Sequence, residues 1–305
     1  MKFCLFVVLA ACALSHFGFT AEKPVVLEPS YKHDILVTQP QETMRYFRAY
    51  TVSFDSNDDD GGDGTPDRKA IPEWVAYELR RFTGPIPEHN RPEWFTDPLL
   101  FQRREAADSE SYHFSEVFRR QHPNSRQLGY DRGHLCMKHH AARLGTAADW
   151  NTHTTLNCIP QRSILNQGAW LDLEQKCAEW ADDYGRIWII TGPIIYGKEP
   201  RNWLGEPGEV PVAIPDAVFK IVYKPSNNKS VDVLAFIYPQ ETPRLRGGYD
   251  HRPYLTNIRT IEHFTGLKFF TRLSQKHQEY LKVRTATELW PTRAEMAQQP
   301  RRRPE

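Results

Sequence analysis

The sequence predicts a single mixed domain of α-helices and β-strands, and three observations carry that prediction. The runs "RIWIITGPIIYG" (186 to 197), "AVFKIVYKP" (217 to 225) and "VDVLAFIYP" (231 to 239) are β-branched and aromatic and are punctuated by Gly or Pro, as strands are. The stretch "SILNQGAWLDLEQKCAEWADDYG" (163 to 185) sets Trp170, Leu173, Cys177, Trp180 and Tyr184 within about 40° of one direction at helical spacing, a core-facing stripe that Gly185 closes. Third, 25% of residues are charged and 40% belong to the hydrophobic set, which is globular composition. A chain of 305 residues can bury a full core, and neither an internal repeat nor a natural linker divides it.

The elements follow in order. Residues 1 to 21, "MKFCLFVVLAACALSHFGFTA", carry one Lys, an apolar run and small residues, the pattern of an export signal, and His16 leaves the run too short to span a bilayer. The expected location is secreted or periplasmic, without a stable membrane span. "LAAC" also resembles a lipobox, the alternative in which Cys12 is lipidated. Residues 22 to 45, with Pro24, Pro29 and Pro40, read as an extended lead-in to a domain over 46 to 285. "YFRAYTVSFD" (46 to 55) alternates as a strand, and "DSNDDDGGDGTPD" (55 to 67) lacks the acidic ladder and bidentate Glu of a calcium loop, so it reads as a solvated loop. "IPEWVAYELRRF" (71 to 82) reads as a helix with Pro72 in its first turn. "TNIRTIEHFTG" (256 to 266) reads as a helix stopped by Gly266, followed by the apolar "LKFF"; residues 286 to 305, rich in Pro, Arg and Gln, read as a basic, flexible tail.

Net charge is +1, so an anionic partner has to be held by a local basic site rather than by the whole surface. Beyond the export signal the cysteines are Cys136, Cys158 and Cys177: an odd number, allowing at most one internal disulfide, with no CxxC pair to mark a zinc site.

The ionisable groups crowd into "GYDRGHLCMKHH" (129 to 140). Taken alone, His134, His139 and His140 fit a metal cluster, a catalytic base with bystanders, or a solvated turn. The region downstream narrows the choice. "TTLNCIPQ" (154 to 161) is strand-like up to Pro160 and carries Asn157 and Gln161. The following helix puts Asn166 along its core-facing stripe with Glu174 on the flank, where an amide and a carboxylate need partners. An N-cap role would explain Asn166 but leaves its polar neighbours unexplained. A strand with Arg and His, a second strand, and a helix offering an amide oxygen suit metal-assisted phosphodiester cleavage. That chemistry needs an imidazole base, guanidinium groups on phosphate, and a cation to offset developing charge. A neutral Asn ligand suits Mg²⁺, which keeps most of its waters.

"DRGH" followed by "NCIPQRSILNQGAWLDLE" closely resembles the DNA/RNA non-specific endonucleases, and the likeness extends through "EWVAYEL", "WFTDP", "TGPIIY", "IPDAVFKIVY" and "TGLKFF", roughly residues 46 to 275. The resemblance implies an α+β fold of the ββα-metal (His-Me finger) type, an antiparallel-rich sheet flanked by helices. It implies a Mg²⁺-dependent hydrolase of DNA and RNA, with Mn²⁺ able to substitute, and it is compatible with a homodimer. Residue by residue, it implies His134 as general base and Asn166 as the direct protein ligand of Mg²⁺. Glu174 orients a metal-bound water, and Arg132 and Asn157 support the phosphate and the transition state. Relatives carry a further arginine two residues before the Trp of "WFTDP"; Arg91 stands three residues before Trp94 and is its candidate here. Asp131 is expected to brace the turn, Gly133 to let the backbone bend, and His139 and His140 to lie at the surface or near phosphate. Two other readings remain at this point: a nucleic-acid binder without activity, and a zinc enzyme built on Cys136 and the histidines.

Overall fold

The chain enters the main sheet through a hairpin. Strand β1 (Thr43–Tyr46) turns at Phe47–Tyr50 into β2 (Thr51–Phe54), with Phe47 N–H donating to the Tyr50 carbonyl at 2.8 Å and the two rings stacked 4.6 Å apart. Of the strand expected over 46 to 55, Tyr46 ends β1, the next four residues turn and Thr51–Phe54 form β2, so β1 lies mostly in the segment expected to be an extended lead-in. The alternation over 46 to 55 runs unbroken through a turn that ring stacking, rather than Gly or Asn, holds. This computed structural model describes residues 41–56, 68–87, 90–123, 129–225, 231–246 and 248–298. The expected export signal, most of the lead-in, the Asp-rich loop from residue 57 to 67 and positions 299–305 lie outside the described residues.

The segment expected to be a helix over 71 to 82 is strand β3 (Pro72–Arg80), paired antiparallel between β2 and β6. Both of its faces are buried, with Trp74 and Ala76 in one core and Val75, Tyr77 and Leu79 in the other. A strand covered on both faces loses the polar alternation that identifies strands, and Pro72 stands at its first residue, where it is tolerated. Two short helices, α1 (Pro98–Gln102) and α2 (Glu116–Gln121), then lead to β4 (Tyr130–His134). After α3 (Lys138–Ala142) and α4 (Thr146–Trp150) comes β5 (Cys158–Arg162). Pro160, expected to end this strand, lies inside it opposite Arg132, which a two-stranded ribbon permits.

The long helix is interrupted. After α5 (Ser163–Leu165), residues Asn166–Trp170 form a widened, π-type turn kinked at Gly168, whose backbone is not helical, and α6 (Leu171–Tyr184) follows, ended by Gly185 at φ +89°. The apolar stripe holds through Trp170, Leu173, Cys177 and Trp180, all 0% exposed. The three runs read as strands form β6 (Arg186–Ile194), β9 (Ala217–Pro225) and β10 (Val231–Pro239); β7 (Trp203–Leu204) and β8 (Val212–Ala213) make a separate pair, and β11 (Leu255–Thr256) closes one edge. Among the described residues the main sheet has seven strands in the order β1-β2-β3-β6-β9-β10-β11, antiparallel throughout. α6 packs on one face, and α7 (Ile258–Thr265) and α8 (Gln275–Lys282) on the other. Gly266 ends α7 in the left-handed conformation at φ +72°, as expected. The architecture is the α+β arrangement expected, an antiparallel sheet flanked by helices.

The tail differs from expectation up to residue 298. Trp290 packs edge-on to Trp180, its carbonyl accepts from the Trp180 indole at 2.8 Å, and α9 (Arg293–Gln298) places Glu295 on Lys176 at 2.8 Å. Its Pro and Arg content hid two aromatic and ionic anchors. Among the described residues, no helix is long and apolar enough to cross a membrane.

Candidate active site

A small ribbon presents the key side chains. β4 and β5 pair antiparallel with Gly133 opposite Ile159 and His134 opposite Cys158, and β5 runs directly into α5 and the π turn, giving strand, strand and helix. Gly133 is needed for close approach rather than for a bend. A Cβ there would meet Gln161 Oε1 at 2.2 Å and Gln161 Cβ at 2.6 Å. Asp131, as expected, is a brace. It accepts from Ser163 Oγ at 2.7 Å, Asn166 Nδ2 at 2.8 Å and Gln167 Nε2 at 2.9 Å, tying β4 to the head of the helix.

His134 ends β4 with its ring against Trp94 (centroids 4.9 Å apart) and edge-on to His153 (5.0 Å), and its buried Nε2 has no hydrogen-bond partner. Burial, then His153, Arg91, Lys138 and Arg132, hold its pKa well below the ordinary histidine range. The ring is therefore neutral near pH 7 and able to accept a proton. Trp94 reaches this place because Phe95 bridges to the residues before β5, its N–H donating to the His153 carbonyl at 3.0 Å. The same indole collects two guanidiniums, Arg132 at 5.2 Å and Arg91 at 5.7 Å from the ring centroid. Arg91 thus stands in the site despite its shifted spacing. Arg132 is also held by the Ser109 carbonyl at 3.0 Å.

His134, Arg132 and Arg91 line a cleft of about 690 Å³ together with Asn166 and Glu174. The stripe reading put Asn166 on the core side; the π turn shifts its phase, and the half-buried side chain faces the cleft instead. Gly168 makes the kink in that turn, at φ −118° and ψ −115°, and it also has to be small, since a Cβ there would lie 2.6 Å from the Tyr249 hydroxyl. Glu174 is 5% exposed, and burial raises its carboxyl to about 7 against the opposing pull of Lys220 and Trp170. Lys220 Nζ stands 3.8 Å from Glu174 Oε1 and 4.1 Å from the Trp170 ring centroid.

One expected site residue, Asn157, and one histidine expected at the surface or near phosphate, His140, lie elsewhere. Asn157 is 0% exposed and absent from the cleft wall: its Oδ1 accepts from Cys136 N–H at 2.8 Å, and its Nδ2 donates to the carbonyls of Cys136 and Thr152. Its amide is taken up in holding the backbone just after His134. His140 is buried as well, between the Tyr77 hydroxyl (3.1 Å) and the Glu174 carbonyl (3.0 Å), because α3 turns it inward; exposed His139 borders the cleft. Cys136, Cys158 and Cys177 are free, buried thiols, and among the described residues no group of three or more His, Cys, Asp or Glu side chains is placed to hold a metal. Sequence reasoning missed Trp94, His153 and Lys220. Lys220, in the middle of the apolar run "AVFKIVYKP", was the available signal for the last.

Residues 38–276 match the DNA/RNA non-specific endonuclease family. The chain is 29% identical to the nuclease of Serratia marcescens over 215 residues, 68% of this chain and 72% of that protein. It is 25% identical to human mitochondrial endonuclease G over 201 residues, 64% of this chain and 62% of that protein. Against the mitochondrial nuclease EXOG of Mus musculus, identity is 24% over 48% of this chain and 41% of the relative. Among solved structures, an endonuclease G in complex with its inhibitor EndoGI shares the fold, with a TM-score of 0.53, 21% identity and coverage of 78% of this chain and 89% of that one. The ββα cleft and the match across most of its length agree: the chain belongs to the DNA/RNA non-specific endonuclease family and is a hydrolytic nuclease.

Proposed function

We propose that the protein is a Mg²⁺-dependent endonuclease that hydrolyses phosphodiester bonds in both DNA and RNA without sequence preference, with His134 as general base and Asn166 as the metal ligand. One relationship supports this above all: a neutral imidazole and an amide oxygen border the same cleft, and guanidiniums lie beside the imidazole. His134 takes the proton from the attacking water. Arg132 and Arg91, splayed against Trp94, receive the phosphate oxygens and stabilise the added charge on phosphorus. Such contacts read phosphate rather than base edges, which supports a non-specific enzyme.

The residues present fit a hydrated divalent cation. Asp131 takes the amide nitrogen of Asn166, leaving Oδ1 as a hard, neutral donor at the cleft, and a single oxygen ligand suits an ion that keeps its waters. Asn166 would hold Mg²⁺, with Mn²⁺ as a substitute, and Glu174 would accept from its water shell. When bound, the ion supplies positive charge to the scissile phosphate and the leaving oxygen. All these side chains come from one chain, so the reading does not require a dimer.

The testing experiment is digestion of single- and double-stranded DNA and RNA, together with nicking of supercoiled plasmid, across a series of divalent metals with and without EDTA. Cleavage of all four substrates with Mg²⁺, stopped by EDTA, is expected; binding without nicking would select the inactive-binder reading. We also propose that the mature enzyme acts outside the cytoplasm, on the strength of the signal-like residues 1 to 21. Mass determination of the exported protein separates simple cleavage from lipidation at Cys12.

A further inference from the structure

A lysine is rarely buried completely, because its long stem lets the ammonium reach water. Lys220 is an exception. It sits in mid-β9, paired with Thr191 of β6 on one side and Phe236 of β10 on the other, and is 0% exposed. Its Nζ lies between the Glu174 carboxylate and the face of Trp170, both on the segment that forms the cleft wall. At 3.8 Å from Oε1 the contact with Glu174 is an ion pair without a hydrogen bond. We propose that Lys220 is a positioning residue for the reaction, holding the Glu174 carboxylate charged and in place at the cleft from behind.

The surroundings of Glu174 leave that task to Lys220. On the cleft side Glu174 shares the wall with Arg91, Asp131, Arg132, His134, Lys138 and His139. Behind the wall the other titratable groups beside it are Cys136 after β4, Cys177 on α6, Tyr77 on β3 and His140 on α3, the last on its backbone carbonyl. Burial raises both thiols and the phenol, Cys177 to about 12, and lowers the imidazole, so all four are neutral near pH 7. Among the described residues behind the cleft wall, Lys220 is therefore the charge that opposes the cost of burying the Glu174 carboxylate, which by itself favours the protonated acid. The inference rests on the proposed role of Glu174 in the reaction.

A double-mutant cycle tests it, with Lys220→Met, Glu174→Gln and the combined variant assayed for plasmid cleavage at fixed Mg²⁺ from pH 5.5 to 9. Melting temperature is the check on folding. Lys220→Met should move the acid limb of kcat/KM upward by about one pH unit or more and reduce activity at pH 7 about fivefold or more, since a group about half ionised at its pKa is only about one-tenth ionised one unit below it. In the Glu174→Gln background the same substitution should change activity less than about twofold, because no carboxylate remains to be held. Lys220→Arg, which keeps the charge, should recover part of the loss. If Lys220→Met alone does not fold, Glu174→Gln is compared with the combined variant, in which no buried carboxylate is left unpaired. A further loss of about fivefold or more in that comparison, or an unchanged pH profile in a folded Lys220→Met, overturns the proposal while leaving the function intact. Wild-type activity in Glu174→Gln would overturn the role of Glu174 itself, and this proposal with it.

Discussion

Asp131 Oδ2 accepts from Asn166 Nδ2 at 2.8 Å, and this hydrogen bond decides which end of the amide faces the cleft. An ionised carboxylate can only accept, so the NH₂ group must turn toward Asp131, and Oδ1 is left for a cation. Asn166→Ala should therefore lose Mg²⁺ affinity and activity together. Asp131→Asn removes the orienting acceptor while keeping the ligand, so it should weaken the apparent Mg²⁺ affinity about 10- to 100-fold and leave kcat at saturating metal closer to wild type. Titration of cleavage rate against Mg²⁺ checks both. Full activity of Asn166→Ala at ordinary Mg²⁺ would remove this residue from the metal site.

His134 and Glu174 divide the pH dependence between them. His134 is held well below its ordinary range, so it is already neutral at mildly acidic pH. Glu174, raised to about 7, loses its charge as pH falls through that value. The acid limb of kcat/KM is expected near pH 7 and belongs to Glu174, falling to lower pH as Mg²⁺ is raised, because a bound cation favours the carboxylate. Glu174→Gln should abolish that limb. His134→Ala should reduce kcat by about 10²–10⁴-fold at every pH with little change in melting temperature. Half of wild-type activity in a folded His134→Ala would exclude it as the base.

The main strands and the site order were legible in the sequence because their signals are local. β6, β9 and β10 are apolar runs ended by Gly or Pro, and the Asp131–His134 and Asn166–Glu174 blocks keep fixed spacing. What was illegible depends on partners far along the chain. β3 reads as a helix because both of its faces meet cores built by other elements. Asn157 looks like a site residue until the backbone of Cys136 and Thr152 claims its amide. The phase of Asn166 cannot be read from helical periodicity when a π turn at Gly168 interrupts it. The indole shared by Arg91 and Arg132 is likewise a tertiary fact, since the two arginines come from separate segments.

That shared indole separates the two arginines by consequence. Arg132 is anchored by the Ser109 carbonyl and by Trp94, so it is organised before substrate arrives, whereas Arg91 is exposed. Arg132→Ala should lower kcat more than it raises KM, as loss of a contact made in the transition state does. Arg91→Ala should act mainly on KM and reduce the salt dependence of binding by about one phosphate contact. Steady-state kinetics across a salt series distinguishes them, and a pure KM effect for Arg132 would make it a docking residue.

Gly133 offers a test of the ribbon independent of any ligand. A Cβ at this position would stand 2.2 Å from Gln161 Oε1 and 2.6 Å from Gln161 Cβ, and Gln161 is 1% exposed with no free space implied around it. The amide end of Gln161 is flexible, but its Cβ belongs to β5, so rotation of the side chain cannot relieve the second contact. Gly133→Ala must push β4 and β5 apart, which by the usual cost of overpacking destabilises the fold by about 1–3 kcal/mol. Because β4 carries Arg132 and His134, activity should fall further than the loss of folded protein accounts for. Transferring the glycine to the other strand, as Gly133→Ala with Gln161→Gly, removes both close contacts and should recover melting temperature relative to Gly133→Ala alone, even though a second strand residue loses its side chain. Thermal melts and specific activity on the same preparations give the answer. Wild-type stability and activity in Gly133→Ala would mean that the ribbon is looser than these distances require, and that His134 is held by the Trp94 and His153 rings rather than by the packing of β4 on β5.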